Sequence, residues 1–324
     1  MRVMITGAMG FIGSHLSNHY LDHGHTVVGV DDFSTSLGVD SPHAQNLSGR
    51  KNFEFCECDI TNSSFTQTFV KEKFDLILNF ACPASPPKYQ DMPLHTLRTS
   101  TVGVDHVLTL AQRCGARVVH ASTSEVYGDP QISPQHEAYW GNVNSFGARS
   151  MYDEGKRAAE SLVWIYKTHY NVDIRMARIF NTYGPHMDPD DGRVVTNFIK
   201  QALTNKPMTL YGDGSQSRSF CYVTDLVRGI VKLAEVESCP DSPINLGNPS
   251  EMTVADLATA VFKLLPESTS KIMFKDLPYD DPCRRCPDIF RAKRILGWSP
   301  KVSLEEGLKK MIDYMVTVQC FFDR

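Results

Sequence analysis

Along the first 180 residues, short runs of β-branched and other apolar residues alternate with longer stretches whose apolar positions recur every three or four residues. The short runs, at 3–6, 26–30, 53–57, 76–79, 117–121 and 173–178, read as strands. Between them, the stretches at 11–23, 94–114 and 150–170 read as amphipathic helices. Strand and helix in turn predict a parallel sheet with helices on both faces, a Rossmann-type, doubly wound α/β fold.

After Tyr183-Gly184-Pro185 the texture changes to loops rich in Gly, Pro and Asp between shorter elements. Helices are expected there at 194–204, 225–236, 254–265 and 304–318, and strands at 208–211 and 272–274. The chain thus divides into residues 1–180, a nucleotide-binding Rossmann domain, and 181–324, a smaller α/β region mainly for substrate. Neither a repeat nor a long linker separates them, so some later segments should pack back on the first domain, with the ligand in the cleft between.

Composition narrows the function classes. The 324 residues are 42% hydrophobic and 22% charged, with 33 Lys and Arg against 37 Asp and Glu for a net charge of -4. That balance is ordinary for a soluble globular chain and excludes a disordered one. Every apolar run is interrupted long before the roughly 18 residues that a membrane span needs. Without a basic block, nucleic acid is a poor partner. Met1-Arg2 leads straight into a strand, with no apolar stretch before a small-residue cleavage site, so a cytoplasmic location is expected. The odd count of nine cysteines points the same way, to reduced thiols. Neither Cys56-x-Cys58 nor Cys283-x-x-Cys286 has a second Cys or His pair at zinc-finger spacing, and no metal is expected.

Two stretches carry candidate chemistry. The first strand runs into Gly7-Ala8-Met9-Gly10-Phe11-Ile12-Gly13 and then a helix, a turn that brings backbone and helix N-terminus close to a pyrophosphate. Asp31 closes the second strand, where a carboxylate can accept hydrogen bonds from ribose hydroxyls and, with Asp32, repel a 2'-phosphate. NAD is therefore expected over NADP, although Asp31 could also simply cap a turn. Asp59-Ile60 suits an adenine contact, or Asp59 caps a helix starting near Asn62. In the second stretch, Tyr152 and Lys156 lie four apart near a helix start and so share a face. A neighbouring cation and a bound NAD+ would favour the phenolate, making Tyr152 a general base, while Lys156 would hold the nicotinamide ribose. Thr123, Ser124 and Glu125 follow the 117–121 strand and point into the crevice. Thr123 could share a proton with Tyr152. Glu125 could act as acid, base or water-positioning group, or remain a solvated loop carboxylate.

These residues resemble the extended short-chain dehydrogenase/reductase superfamily, and more narrowly the UDP-glucuronate decarboxylase (UDP-xylose synthase) family, over nearly the whole chain. The most specific stretches are Ala81-Cys82-Pro83-Ala84-Ser85-Pro86-Pro87 with Tyr89, residues 122–130, Tyr139-Trp140-Gly141-Asn142-Val143-Asn144 and Tyr152-Asp153-Glu154-Gly155-Lys156-Arg157. Further along come residues 178–185, Asp191-Gly192-Arg193-Val194-Val195, Tyr211-Gly212-Asp213-Gly214, and Asp281-Pro282 followed by Arg285 and Pro287-Asp288-Ile289. The resemblance implies a redox-neutral reaction with recycled NAD: oxidation of UDP-glucuronate at C4, loss of CO2 from the 4-keto acid, and reduction to UDP-xylose. It also implies that Thr123, Ser124 and Glu125 contact the sugar and its carboxylate, and that Arg285 assists decarboxylation or protonation. Tyr89 would line the sugar pocket. Asn181, Arg193 and Arg218 would hold phosphates and nearby hydroxyls, and Tyr211 would pack near uracil through its backbone. The three arginines have the alternative of plain surface residues. A homodimer formed through the 94–114 and 150–170 helices is implied as well.

Four positions depart from the family pattern: Ser100 stands where an Asn commonly supports the Tyr and Lys, His186 replaces Arg after Tyr183-Gly184-Pro185, Asn144-Ser145-Phe146-Gly147 replaces Asn-Pro-Ile-Gly, and Ser36-Leu37 replaces Gly-Arg. Ser100, being shorter, is expected to recruit water. Competing readings are a UDP-glucuronate 4-epimerase, which returns hydride to the other face without losing CO2, and a catalytically silent NAD and nucleotide-sugar binder. A dehydratase would want an acidic pair after Thr123, which Ser124-Glu125 lacks.

Overall fold

The computed structural model describes residues 1–35, 38, 42–238, 242–277, 282 and 284–318. Ser36-Leu37, Asp281 and Cys283 lie outside the described residues. At the centre is a seven-stranded sheet of β1 (Arg2–Thr6), β2 (Thr26–Asp31), β3 (Phe53–Glu57), β4 (Leu76–Asn79), β5 (Arg117–Thr123), β6 (Ile174–Ile179) and a seventh strand, Ile244–Leu246. The spatial order is seventh-β6-β5-β4-β1-β2-β3 and every pairing is parallel.

The alternation of side chains along a strand builds two cores from one sheet. Val3 and Ile5 point to the face packed by helices Phe11–Asp22 and Val223–Glu235, through Leu16 and Ile230. Met4, with Val28 and Ile77, points to the other face, filled by Val107 and Leu108 of helix Val104–Cys114 and Val163 of helix Ser150–His169. The predicted doubly wound α/β fold is the one observed.

Two features differ from expectation. The 94–114 stretch is a helix Pro93–Arg98, a wide π turn Thr99–Gly103 and a second helix Val104–Cys114. The irregular turn lies where this segment crosses helix Ser150–His169 closely: a Cβ at Gly155 would sit 3.1 Å from the Ser100 Cβ. The seventh strand, Ile244–Leu246, was not anticipated. Three residues are too few to show a period, and only its place beside β6 makes it a strand.

The later chain otherwise forms small sheets. Strand Ser217–Ser219 pairs with Glu251–Thr253 on one side and Arg284–Arg285 on the other, and Met208–Tyr211 pairs with Ile272–Lys275. Among the described residues, no helix is long and apolar enough to cross a membrane.

Candidate active site

The turn after β1 can be built only with glycine at two places. Gly7 has φ +70°, and a Cβ there would lie 2.8 Å from the Phe80 carbonyl carbon, while a Cβ at Gly13 would overlap the Gly7 carbonyl oxygen. The Phe11–Asp22 helix therefore begins tight against the strand end. Asp31 braces this turn from β2, accepting from the Met9 and Phe33 backbone N–H groups at 2.9 Å each. Burial raises its carboxyl, against those two hydrogen bonds. A cradle with no room for side chains, next to a carboxylate, fits a dinucleotide. Gly7, Gly10, Phe11, Ile12 and Gly13 line the main cleft. Asp59 and Ile60 stand apart from it. Asp59 accepts from Thr61 N (2.7 Å) and Oγ1 (2.8 Å) and faces a separate hollow with Asp32, Cys56 and Cys58, while Ile60 is buried under Gly103. The first helix beyond Asp59 starts at Phe65, not near Asn62.

The main cleft, about 550 Å³, opens over the C-terminal ends of β1, β5 and β6 and holds Tyr152, Lys156, Thr123, Ser124 and Glu125 from the first half of the chain. Tyr152 sits in the first turn of helix Ser150–His169, buried, with its ring stacked on Tyr89 at 4.9 Å and a side-chain hydrogen bond to Thr123. The Lys156 Nζ donates to the Ala121 carbonyl at 2.9 Å and lies 5.9 Å from the Tyr152 ring centre. Burial pushes the phenol above its ordinary value, and Cys82 adds to this; the Thr123 hydrogen bond and Arg193 act the other way. Without the cofactor these surroundings favour the phenol, so the phenolate expected with a neighbouring cation and a bound NAD+ depends on the positive charge that the cofactor would bring. Ser100, expected to recruit water, meets the Cys82 thiol at 3.3 Å.

Beside this end of the cleft lies a cluster of buried charge. A short 3-10 turn, Ser124–Tyr127, follows β5 and swings Glu125 inward. Arg149 Nη2 donates to Glu125 Oε2 at 2.7 Å and Arg285 Nη2 to the same oxygen at 3.0 Å, while Arg285 Nη1 donates to the Ser124 carbonyl at 2.6 Å. Burial by itself would raise the Glu125 carboxyl, but Arg285 and Arg149, with Arg218 further away, more than offset it and hold the group below the ordinary glutamate range. Glu125, its side chain 15% exposed, is therefore a largely enclosed carboxylate and not a solvated one, and Arg285, 1% exposed, is no surface residue. Its segment is fixed by the buried Gln135, whose backbone N–H donates to the Cys286 carbonyl and whose Oε1 accepts from the Cys286 N–H, both at 2.8 Å.

Arg149, Asp153 and Gln135 were not anticipated. The Arg149 Nε lies 3.9 Å from Asp153 Oδ2, an i,i+4 pair that the sequence does contain. Burial foremost, then the Glu125 charge, raises the Asp153 carboxyl to about 7, against Arg149 and Arg285. Gln135 left no signal, since Cys286, the partner that gives it a role in the site, is 151 residues away.

From the second half, Asn181, Arg193, Tyr211 and Arg218 also line the cleft. Arg193 is held by Asp191 (3.2 Å) and the Ala84 carbonyl (2.8 Å), and Arg218 by the Ser217 carbonyl (2.9 Å). Asn181 is tied in place through its carbonyl, which accepts from Cys221 N at 2.9 Å. Tyr211 is partly exposed.

A glycine cradle on a doubly wound sheet, joined to a Tyr-Lys-Thr cluster, defines a class, and the chain belongs to the NAD dependent epimerase/dehydratase family, whose model matches residues 3–247. Relatives in sequence are more particular. The chain is 48% identical over 313 residues to UDP-glucuronic acid decarboxylase 1 of Danio rerio, covering 97% of this chain and 72% of that one. It is 48% identical over 312 residues to UDP-glucuronic acid decarboxylase 4 of Arabidopsis thaliana, covering 96% and 68%. Among solved structures, the UDP-glucuronic acid 4-epimerase of Bacillus cereus, in complex with UDP-glucuronic acid and NAD, superimposes with a TM-score of 0.85 at 27% identity, covering 98% of this chain and all of that one.

Proposed function

We propose that this protein is a UDP-glucuronate decarboxylase that uses NAD as a recycled cofactor and makes UDP-xylose. The single observation that carries the reading is the Glu125-Arg149-Arg285 cluster beside Tyr152 and Thr123: it puts guanidinium groups for a sugar carboxylate next to a phenol for the sugar hydroxyl. Residues 1–180 hold the cofactor, with Gly7, Gly10, Phe11, Ile12, Gly13 and Asp31 around its phosphates and ribose, Lys156 on the second ribose, and Asp59-Ile60 toward the adenine. Residues 181–324 mainly hold the nucleotide sugar. When bound, NAD supplies the hydride acceptor and donor for C4.

The chain's own groups do the rest. With a bound NAD+ favouring its phenolate, Tyr152 takes the proton of the 4-hydroxyl, relayed through Thr123, and later returns it. Once C4 is a ketone the carboxylate is β to it, so the electron pair left by CO2 delocalises onto the carbonyl oxygen. Tyr152 and Thr123 stabilise that oxygen as donors. Arg285 orients the carboxylate, and Glu125, itself ionised, positions a water that relays a proton from solvent to C5. Tyr89 lines the sugar pocket. Asn181, Arg193 and Arg218 hold the UDP, as planar guanidiniums suit phosphate oxygens, and Tyr211 packs near the uracil.

A cytoplasmic homodimer completes the proposal. Leu94, Leu97 and Val102 on one segment, and Trp164 and Ile165 on helix Ser150–His169, leave a band of exposed apolar side chains for a second copy. The six described cysteines are all free thiols, which suits a reducing compartment. Incubation with UDP-glucuronate labelled in its carboxylate tests the activity. Stoichiometric labelled CO2 with UDP-xylose is the expected outcome; retained label with inverted C4 would make the protein an epimerase, and binding without turnover a silent module.

A further inference from the structure

Arg285 has a conflict built into it. In the protein as described, its Nη2 is spent on Glu125, yet the proposed reaction, on which this inference rests, asks the same guanidinium to meet the substrate's carboxylate. Turning toward the substrate strips a largely enclosed carboxylate of a partner, which is costly unless another cation stays behind. Arg149 is such a cation. It donates to the same Glu125 oxygen at the shorter distance, 2.7 Å against 3.0 Å, and comes from a different element, ahead of the Tyr152 helix, so it need not move when Arg285 does.

Arg149 is itself held from two sides. Its guanidinium carbon lies 5.9 Å from the Tyr89 ring centre, the ring that stacks on Tyr152, and its Nε faces Asp153. Asp153 in turn faces Glu125, Arg285 and Glu154 besides Arg149, and one of its carboxylate oxygens is buried without a hydrogen-bond partner.

We infer that Arg149 is a positioning residue that retains Glu125 while Arg285 exchanges it for the substrate's carboxylate, so that Arg149 sets the selectivity of the cleft for an acidic sugar. Without Arg149, Glu125 closes on Arg285 and competes with the substrate's carboxylate. A sugar nucleotide lacking that carboxylate makes no such demand and is indifferent to the change.

The test is calorimetric titration of the NAD-loaded protein with UDP-glucuronate and with UDP-xylose, in the parent, Arg149→Met, Arg149→Lys, Glu125→Gln and the Arg149→Met/Glu125→Gln double variant. Loss of one hydrogen bond to a charged group corresponds to roughly tenfold or more in affinity. Arg149→Met should weaken UDP-glucuronate by about that factor and leave UDP-xylose within about twofold, and Arg149→Lys should recover part of the loss. In the Glu125→Gln background the same Met substitution should change neither Kd, because the competitor is gone. Equal weakening of both nucleotides, no weakening of either, or an undiminished loss in the Glu125→Gln background would each overturn the inference. Should Arg149→Met fail to fold, the Lys variant with and without Glu125→Gln gives the same comparison at smaller amplitude. Whether the parent releases CO2 is measured separately, so failure of the proposed activity is distinguishable from failure of the role given to Arg149.

Discussion

The two ends of the cleft are built on opposite principles. Around Tyr152 the surroundings are aromatic and hydroxylic, with Tyr89 stacked on the ring and Thr123 hydrogen bonded to it, and burial holds the phenol's proton on. A few residues away, Glu125, Arg149, Arg285 and Asp153 crowd charge into the same buried space. The contrast teaches a division of labour: one end is prepared to move a proton to and from a neutral hydroxyl, the other to receive an anion and survive its departure as neutral CO2.

The sharpest way to break that comparison is at the phenol. Tyr152→Phe should lower turnover by roughly a hundredfold to ten-thousandfold while UDP-glucuronate still binds, since that is what proton transfer by a positioned group is worth; retained absorbance change at 340 nm would remove Tyr152 from its role. At the charged end, Arg285→Ala should cost about a hundredfold in CO2 release but leave the first oxidation, so that reduced cofactor accumulates. Release of CO2 at the parent rate would move the anion site elsewhere. Gln135→Leu keeps both ends intact and disturbs only the segment carrying Arg285. It leaves the Cys286 N–H and the Ile132 carbonyl without the side-chain amide that each bonds, at about 1–3 kcal/mol each, and should lower Tm and slow CO2 release more than oxidation. Equal slowing of both steps would deny that Gln135 serves the charged end.

The smallest effect concerns pH. The Asp153 carboxyl is raised from 3.8 to about 7, mainly by burial. Between those values the unfolded chain has released a proton that the folded chain keeps, so stability falls as pH rises through this window and levels off above it. Asp153→Asn removes that loss. Its Tm relative to the parent should therefore improve by a few degrees between about pH 4 and pH 8; a constant difference would mean Asp153 is ionised throughout.

The two ends also differ in how legible they were. Tyr152 and Lys156 are one helical turn apart, and Thr123 ends a strand whose apolar run is unmistakable, so local periodicity delivers the phenol end. Residues 53–57 and 76–79 were read with the bounds later observed for the same reason. The charged end draws on 125, 135, 149 and 285, and the contacts that make Glu125 a carboxylate span 24 and 160 residues. Arg285 was reached only through family resemblance, and Arg149 not at all, although its i,i+4 relation to Asp153 was in view. The π turn at Thr99–Gly103 escaped because helix periodicity carries no mark of the helix it must cross.

The seventh strand, Ile244–Leu246, has a consequence for any attempt to treat the molecule as interchangeable parts. It lies beside β6 in the main sheet although it comes from the later half of the chain. A cut near residue 180 would leave β6 with a bare row of amide and carbonyl groups, inviting association with other chains. Grafting a foreign specificity region after that point would have to bring its own edge strand in the same register. The chain is therefore spliced into itself: a new substrate preference is more accessible by exchanging single side chains in the cleft than by shuffling halves.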